Sequence, residues 1–135
     1  MQGLNSKTVF IIEDNVGNRA IMQMLLEQAG AKVHFERWGI DSVEQIKKVM
    51  PVDIILLDLM FPRGVTGYDV FDAVRADTGF DDIPIVAVSA SEPAQSIPKT
   101  RAKGFSGFIA KPISYENFTN QVSILINKGA VWDTG

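Results

Sequence analysis

Ile54-Ile55-Leu56-Leu57-Asp58 is a run of four consecutive apolar residues that ends abruptly at an acid. A continuous apolar run of this length is typical of a strand that is buried on both faces, as in a parallel sheet. A carboxylate directly after such a strand is nearly buried, and buried carboxylates are uncommon without a partner. The stretch therefore predicts a central strand with an unusual acid, Asp58, at its carboxyl end.

Similar short apolar runs lie on both sides of this stretch. They occupy residues 9–12, 83–88, 107–110 and, with a weaker pattern, 33–35. Between them, apolar residues recur at helical spacing in 19–29, 41–50, 68–76 and 115–126. This alternation, repeated about five times, predicts one parallel sheet with right-handed crossovers and helices on both faces.

The segment 91–104 should supply the fourth helix, but it contains Pro93 and Pro98. Proline is tolerated in the first turn of a helix and disrupts a helix interior. We therefore expect a short or irregular helix that starts late, near Pro98.

Length and composition restrict the class of protein. The 135 residues fit a single domain, with a core at about 8–127 and a short C-terminal tail. The absence of cysteine excludes disulfides, thiolate metal sites and cysteine nucleophiles, and agrees with a reducing cytoplasm. A net charge of -3 argues against nucleic-acid binding, and no stretch is long enough to cross a membrane. We expect a soluble cytoplasmic protein that binds neither.

Polar groups follow four of the predicted strands at the point where each strand ends. They are the pair Glu13-Asp14, then Asp58, Ser89 and Lys111. In open parallel α/β sheets, ligands bind outside the carboxyl ends of the strands. All four sets of groups should therefore meet at one edge, and this convergence is the main argument for a functional site.

The chemistry of these groups favours phosphoryl transfer. Three acids at one edge repel each other, and Mg²⁺, which prefers oxygen ligands, would resolve that conflict. Asp58 could then attack phosphorus, Lys111 could contact a phosphate oxygen, and Ser89 could donate a hydrogen bond to the new anion.

Each group also has an ordinary structural interpretation when it is taken alone. Glu13-Asp14-Asn15 could be a polar turn in which Asp14 or Asn15 caps the next helix. Asp58 could be held in an ion pair with Lys111, and Ser89 could bond to a nearby backbone group.

At this point the sequence resembles the receiver domain of two-component response regulators, over residues 8–127. The resemblance rests on the acidic pair Glu13-Asp14, Asp58 within Ile-Leu-Leu-Asp-Leu-Met-Phe-Pro, the pair Ser89-Ala90, Phe108, and Lys111-Pro112. It implies a flavodoxin-like (βα)5 fold with a doubly wound, five-stranded sheet.

The resemblance also implies a role for each residue. Asp58 is the phosphoacceptor, and Glu13, Asp14, Asp58 and the Met60 backbone carbonyl hold Mg²⁺. Lys111 assists the transfer, with Pro112 as a cis proline. Ser89 is the switch hydroxyl beside the small Ala90, and Phe108 is the aromatic switch residue. A receiver is a signalling domain that catalyses its own phosphorylation, with a histidine kinase or a phosphotransfer protein as donor.

Three features depart from the family pattern. The loop Pro62-Arg63-Gly64-Val65-Thr66-Gly67 is one residue longer than its common form. Pro93 and Pro98 fall where part of the output face normally forms. Ser89 replaces the commoner threonine and Phe108 the commoner tyrosine, so a switch at Phe108 would work by packing. No output domain follows Asn127, so we expect a downstream protein effector, and a monomer or weak homodimer.

Other functions compete with that of a phosphoacceptor. A receiver-like module that binds partners without phosphorylation stays possible because of the two prolines. A phosphatase of the haloacid-dehalogenase type needs a second acid two residues after the nucleophile, where this chain has Met60 after Asp58 and Val16 after Asp14. A flavin site is disfavoured because Glu13-Asp14-Asn15 would repel the flavin phosphate. The lone His34 is expected to be a partly exposed strand residue, and Trp38 and Trp132 to be packing residues.

Overall fold

The fold is an alternation of strands and helices, as seen in a computed structural model that describes residues 3–37, 39–61 and 64–135. The strands are β1 (Thr8–Ile12), β2 (Lys32–Glu36), β3 (Ile54–Leu57), β4 (Ile85–Ser89), β5 (Gly107–Ala110) and β6 (Val131–Trp132). The helices are α1 (Val16–Gln28), α2 (Ser42–Lys48), α3 (Gly67–Arg75), α4 (Pro93–Lys103) and α5 (Phe118–Ile126), with a 3₁₀ turn at Thr78–Phe80.

The strands form one parallel sheet in the order β2-β1-β3-β4-β5-β6. The predicted doubly wound parallel sheet is thus confirmed, with β3 in its interior. Every residue of β1, β3, β4 and β5 is buried, which explains their continuous apolar sequences. His34 lies half-buried in β2, as expected.

Two apolar cores cover the two faces of the sheet, because successive strand side chains point to opposite sides. On one face, Phe10, Leu57 and Phe108 pack with residues of α2 and α3. On the other face, Ile11 and Leu56 pack with residues of α1 and α5. The helices therefore hold the sheet from both sides and leave its carboxyl edge open.

The fourth helix corrects our expectation, because α4 is regular over eleven residues and begins at Pro93. Pro93 occupies the first turn, where its missing N–H costs no helical bond. Pro98 lies inside the helix, and Ser96 and Thr100 on either side of it are buried. Packing of this face, together with the left-handed Gly104 that ends the helix at φ 110°, outweighs the cost of one lost bond.

The C-terminal tail adds a sixth strand to the five that we predicted. β6 pairs in parallel with β5, with Trp132 opposite Phe108 in the register. The Asp133 amide donates to the Phe108 carbonyl at 2.9 Å, and Arg101 lies over the Trp132 ring at 4.9 Å. Trp132 packs against the core that contains Phe108, which confirms it as a packing residue.

Three residues named in the sequence analysis lie outside the described ranges. They are Trp38, which was expected to be a packing residue, and Pro62 and Arg63 of the loop with the extra residue.

Within the described part of the chain, no helix combines the length and the apolar character needed to cross a membrane.

Candidate functional site

The sheet brings the predicted polar groups together at its carboxyl edge. Strand register pairs Ile12 with Leu57, so the residues that follow β1 and β3 are neighbours. The ladder continues one residue further, since the Asp58 amide donates to the Ile12 carbonyl at 3.0 Å. On the other side, the Lys111 amide donates to the Ser89 carbonyl at 2.9 Å. The backbone thus fixes where each functional side chain starts.

Three carboxylates form a cluster at this edge. Oxygen atoms of Glu13, Asp14 and Asp58 lie within 4.8 Å of one another. Glu13 and Asp58 are buried, whereas Asp14 is partly exposed. An all-oxygen set of this kind suits a hard cation that keeps part of its water shell. The chain therefore has a donor set that fits Mg²⁺.

Lys111 supplies the positive charge of the cluster. Its Nζ donates a hydrogen bond to Glu13 Oε1 and lies 3.4 Å from Asp58 Oδ2. Its side chain is only 11% exposed, so water screens the two contacts weakly. The ion pair between Lys111 and Asp58, which we had weighed as an alternative role for the acid, is therefore present. The peptide bond that joins Lys111 to Pro112 is cis.

The backbone after β3 holds the other oxygen of Asp58. Asp58 Oδ1 accepts a hydrogen bond from the Leu59 amide at 2.7 Å, with the Met60 amide at 3.4 Å. Oδ2 faces Lys111, so the carboxylate is held from two sides. Met60, two residues after Asp58, is 68% exposed.

Burial raises the pKa of Glu13 above its ordinary value of 4.5. The nearby charge of Asp58 raises it further, while the hydrogen bond and charge of Lys111 and the Asn15 amide act in the opposite direction. Loss of water around the buried carboxyl is therefore the main cause of the raised pKa of Glu13, and Lys111 offsets it only in part. A cation bound beside Glu13 would favour its charged form further.

The Asn15 side chain accepts from the Asn18 amide at 2.9 Å and caps α1. The capping interpretation is therefore correct for Asn15. It leaves Glu13 and Asp14 at the carboxyl edge, so the turn serves both purposes.

Ser89 ends β4 beside the cluster and is 1% exposed. Its Oγ accepts a hydrogen bond from the Ser91 amide at 3.1 Å and shares another with Ser91 Oγ at 2.9 Å. The backbone interpretation of Ser89 is thus also correct for this structure. Ala90 is exposed, and Phe108 is fully buried one strand away in β5.

Comparison with known proteins decides the family. The sequence profile of the response regulator receiver domain matches residues 9–123. The chain belongs to the response regulator receiver domain family. Its curated relatives include the polar-differentiation response regulator DivK of Brucella abortus, 30% identical over 117 residues, which cover 87% of this chain and 94% of DivK. Another is the peroxide stress-activated histidine kinase mak1 of Schizosaccharomyces pombe, 29% identical over 125 residues. The match covers 89% of this chain but only 8% of that kinase.

Solved structures agree with the receiver fold. The chemotaxis response regulator CheY4 of Vibrio cholerae superposes with a TM-score of 0.77 at 22% identity, over 86% of this chain and 95% of that one. A sensor protein from Polaromonas gives a TM-score of 0.81 at 22% identity, over 90% and 97% of the two chains. At this level of identity the likeness concerns the fold alone.

Two residues of this receiver site escaped the sequence analysis. Gly67 begins α3 directly beneath the acid, and a Cβ at this position would lie 2.3 Å from the Asp58 carbonyl oxygen. Its only signal in the sequence is the capping box that Thr66 and Asp69 form around it. Ser91 was missed because it lies in the loop after β4, where the sequence pattern does not predict that its Oγ lies 2.9 Å from Ser89 Oγ.

Proposed function

We propose that Asp58 accepts a phosphoryl group from the phosphohistidine of a histidine kinase or a phosphotransfer protein. The observation that carries the proposal is the position of Lys111, which contacts Glu13 and Asp58 together at the open edge of the sheet. A purely structural ion pair needs one acid, whereas this lysine lies inside a cluster of three. A lysine in such a cluster places positive charge where a phosphoryl group would add negative charge.

In the proposed reaction an Asp58 oxygen attacks phosphorus, the bond from phosphorus to the donor nitrogen breaks, and the imidazole leaves. The Leu59 amide orients the carboxylate, because it already holds Oδ1 at 2.7 Å. Lys111 is close enough to Oδ2 to move its contact to a phosphoryl oxygen. The chain thus supplies the nucleophile and a cation, and the donor needs only to be presented.

Mg²⁺ is the proposed cofactor, and Glu13, Asp14, Asp58 and the Met60 carbonyl would hold it. When bound, it would neutralise charge on the transferring phosphoryl oxygens. The three carboxylates support this assignment, because their oxygen atoms lie within 4.8 Å of one another and offer the oxygen ligands that Mg²⁺ prefers.

We further propose that phosphorylation changes a partner-binding surface through Ser89 and Phe108. A phosphoryl group would draw the Ser89 hydroxyl away from Ser91 and open space beside it. Phe108 is buried in the neighbouring strand and has no hydroxyl, so it would respond by repacking. The downstream partner is a protein, the setting is the cytoplasm, and a local charge event biases a two-state surface.

The test uses the purified chain with acetyl phosphate, with and without Mg²⁺, read by intact mass. The proposal predicts a Mg²⁺-dependent gain of one phosphoryl group that is absent from Asp58→Asn. Because hydrolysis can hide an adduct, a beryllium fluoride titration followed by amide spectra accompanies it. If neither reagent acts on the protein, the proposal is wrong, and a receiver-like module that works without phosphorylation replaces it.

A further inference from the structure

A chain of three serine hydroxyls runs from the end of β4 into α4. Ser89 Oγ lies 2.9 Å from Ser91 Oγ, and Ser91 Oγ lies 2.7 Å from Ser96 Oγ. Ser96 is buried on the inner face of α4. These distances are those of good O–H···O hydrogen bonds. The residue assigned to contact the phosphoryl group is therefore linked to a helix by side chains alone.

The row of serine hydroxyls holds the Ser89 hydroxyl on the side of α4. Besides the hydroxyl contact, the Ser91 amide donates to Ser89 Oγ at 3.1 Å. Among the residues that the structure describes, the hydrogen bonds of the Ser89 hydroxyl go to Ser91 alone. Either hydroxyl can be the donor in the contact between Ser89 and Ser91. In the arrangement in which Ser89 donates, it has to release Ser91 before its one proton can go to a phosphoryl oxygen.

A cavity of about 180 Å³ lies beside the serine hydroxyls, and Ser91 and Ser96 form part of its wall. Water can occupy a polar cavity of this size and replace lost hydrogen bonds. Ser91 can therefore lose Ser89 without leaving a buried donor unpaired, which keeps the exchange inexpensive. Thr100, in contrast, bonds back to the Ser96 carbonyl at 2.8 Å and stays outside the chain.

From these contacts we propose that Ser91 is a positioning residue that holds the Ser89 hydroxyl away from Asp58, and that Ser96 ties this hold to α4. The inference rests on the proposed phosphoacceptor function. In the unphosphorylated protein, Ser91 competes with the phosphoryl group for Ser89. When Ser89 leaves, Ser91 and Ser96 rearrange, and α4 receives the signal through the hydroxyl chain.

The test is a Mg²⁺-dependent beryllium fluoride titration of the full chain, followed by amide NMR. Ser91→Ala removes one hydrogen bond that competes for Ser89. The variant is expected to bind beryllium fluoride roughly twofold to tenfold more tightly than the unsubstituted protein does. Damage to the site would weaken binding instead, so the sign separates a positioning role from a structural one. Ser91→Thr keeps the hydroxyl and should restore the original affinity.

Ser96→Ala tests the link to α4. Because hydrogen bonds in a chain polarise one another, its loss should weaken the hold of Ser91 and tighten binding by less than Ser91→Ala does. In the Ser91→Ala background, Ser96→Ala should then have no further effect. The matched control is Thr100→Val, which removes a buried hydroxyl from the same helix and should leave the affinity unchanged.

Two results would overturn the inference while leaving the phosphoacceptor function intact. One is a beryllium fluoride affinity in Ser91→Ala that equals or falls below that of the unsubstituted protein. The other is an effect of Ser96→Ala that is the same in both backgrounds. If the unsubstituted protein itself does not bind beryllium fluoride, the proposed function fails and this inference fails with it.

Discussion

The ammonium group of Lys111, which follows β5, lies 3.4 Å from the Oδ2 atom of Asp58, which follows β3. One strand, β4, separates the two residues in the sheet. The long lysine side chain crosses the end of this strand to reach the acid, and its side chain is 11% exposed against 10% for Asp58. The pair is therefore shielded enough for its charges to matter to both stability and chemistry.

Replacing Lys111 with methionine should cost about 3 kcal/mol of unfolding free energy in metal-free buffer, because it leaves two buried acids without their cation. The same variant should lose phosphorylation by acetyl phosphate. Lys103→Met is the control, since Lys103 pairs with the exposed Asp72 at 2.9 Å. That surface pair should be worth about 1 kcal/mol or less. Equal losses in urea unfolding would contradict the account.

The raised pKa of Glu13 predicts a pH dependence. The folded protein binds the Glu13 proton more tightly than the unfolded chain does, so folding is favoured when this residue is protonated. Metal-free stability should therefore decline as the pH rises from 4.5 through the raised pKa of the folded state.

Glu13→Gln removes this titration and should flatten the decline. Glu44→Gln, at an exposed position on α2, is the control and should keep the original slope. The measurement is urea unfolding at a series of pH values without Mg²⁺. A slope that Glu13→Gln leaves unaltered would show that another group is responsible.

Gly67 should tolerate no side chain. A Cβ there would lie 2.3 Å from the Asp58 carbonyl and 2.8 Å from the Leu59 Cα, and both are backbone atoms that cannot move aside freely. Gly67→Ala should cost about 1–3 kcal/mol and slow phosphorylation by shifting the backbone that carries the acid.

The control for this position is Gly17→Ala in α1. There the new Cβ meets only the Asn15 side chain at 3.3 Å, and alanine is the better helix former. Its stability and its phosphorylation rate should stay at or above those of the unsubstituted protein. Equal phosphorylation rates in Gly67→Ala and Gly17→Ala would show that Gly67 does not position Asp58.

Pro98→Ala should stabilise the protein by about 1–2 kcal/mol. The alanine restores a helical hydrogen bond in α4, and part of this gain is offset because the unfolded chain becomes more flexible. Pro93→Ala should bring no such gain, since a proline in the first turn is already well placed. Thermal and urea unfolding of both variants decide the point, and a loss of stability in Pro98→Ala would contradict it.

The sequence predicted the sheet because its strands are buried on both faces and cannot be mistaken for amphipathic segments. It predicted the cluster of acids and lysine because parallel strands end at one edge, so order along the chain determines proximity. The sequence did not predict the contacts within the cluster. Nothing in the sequence states that Lys111 contacts Glu13 as well as Asp58, or that Ser89 turns toward Ser91.

The start of α4 was predicted wrongly and β6 was missed, both for the same reason. Proline propensity argued against a full α4, but burial of Ser96 and Thr100 decides the matter in the folded chain. β6 has two residues and no strong pattern, and it forms because the edge of β5 is available and Asp133 bonds to the Phe108 carbonyl. In both cases tertiary contacts override local preference, which a reading of local pattern cannot see.

If Asp58 is the phosphoacceptor, its side chain becomes an acyl phosphate, which borohydride can trap. The reagent reduces an aspartyl phosphate to homoserine, and peptide mass mapping then locates the changed residue. After treatment with acetyl phosphate and Mg²⁺, the account predicts homoserine at position 58 and at no other position. Reduction at Asp14, or a phosphoryl group that survives borohydride on a serine, would contradict it.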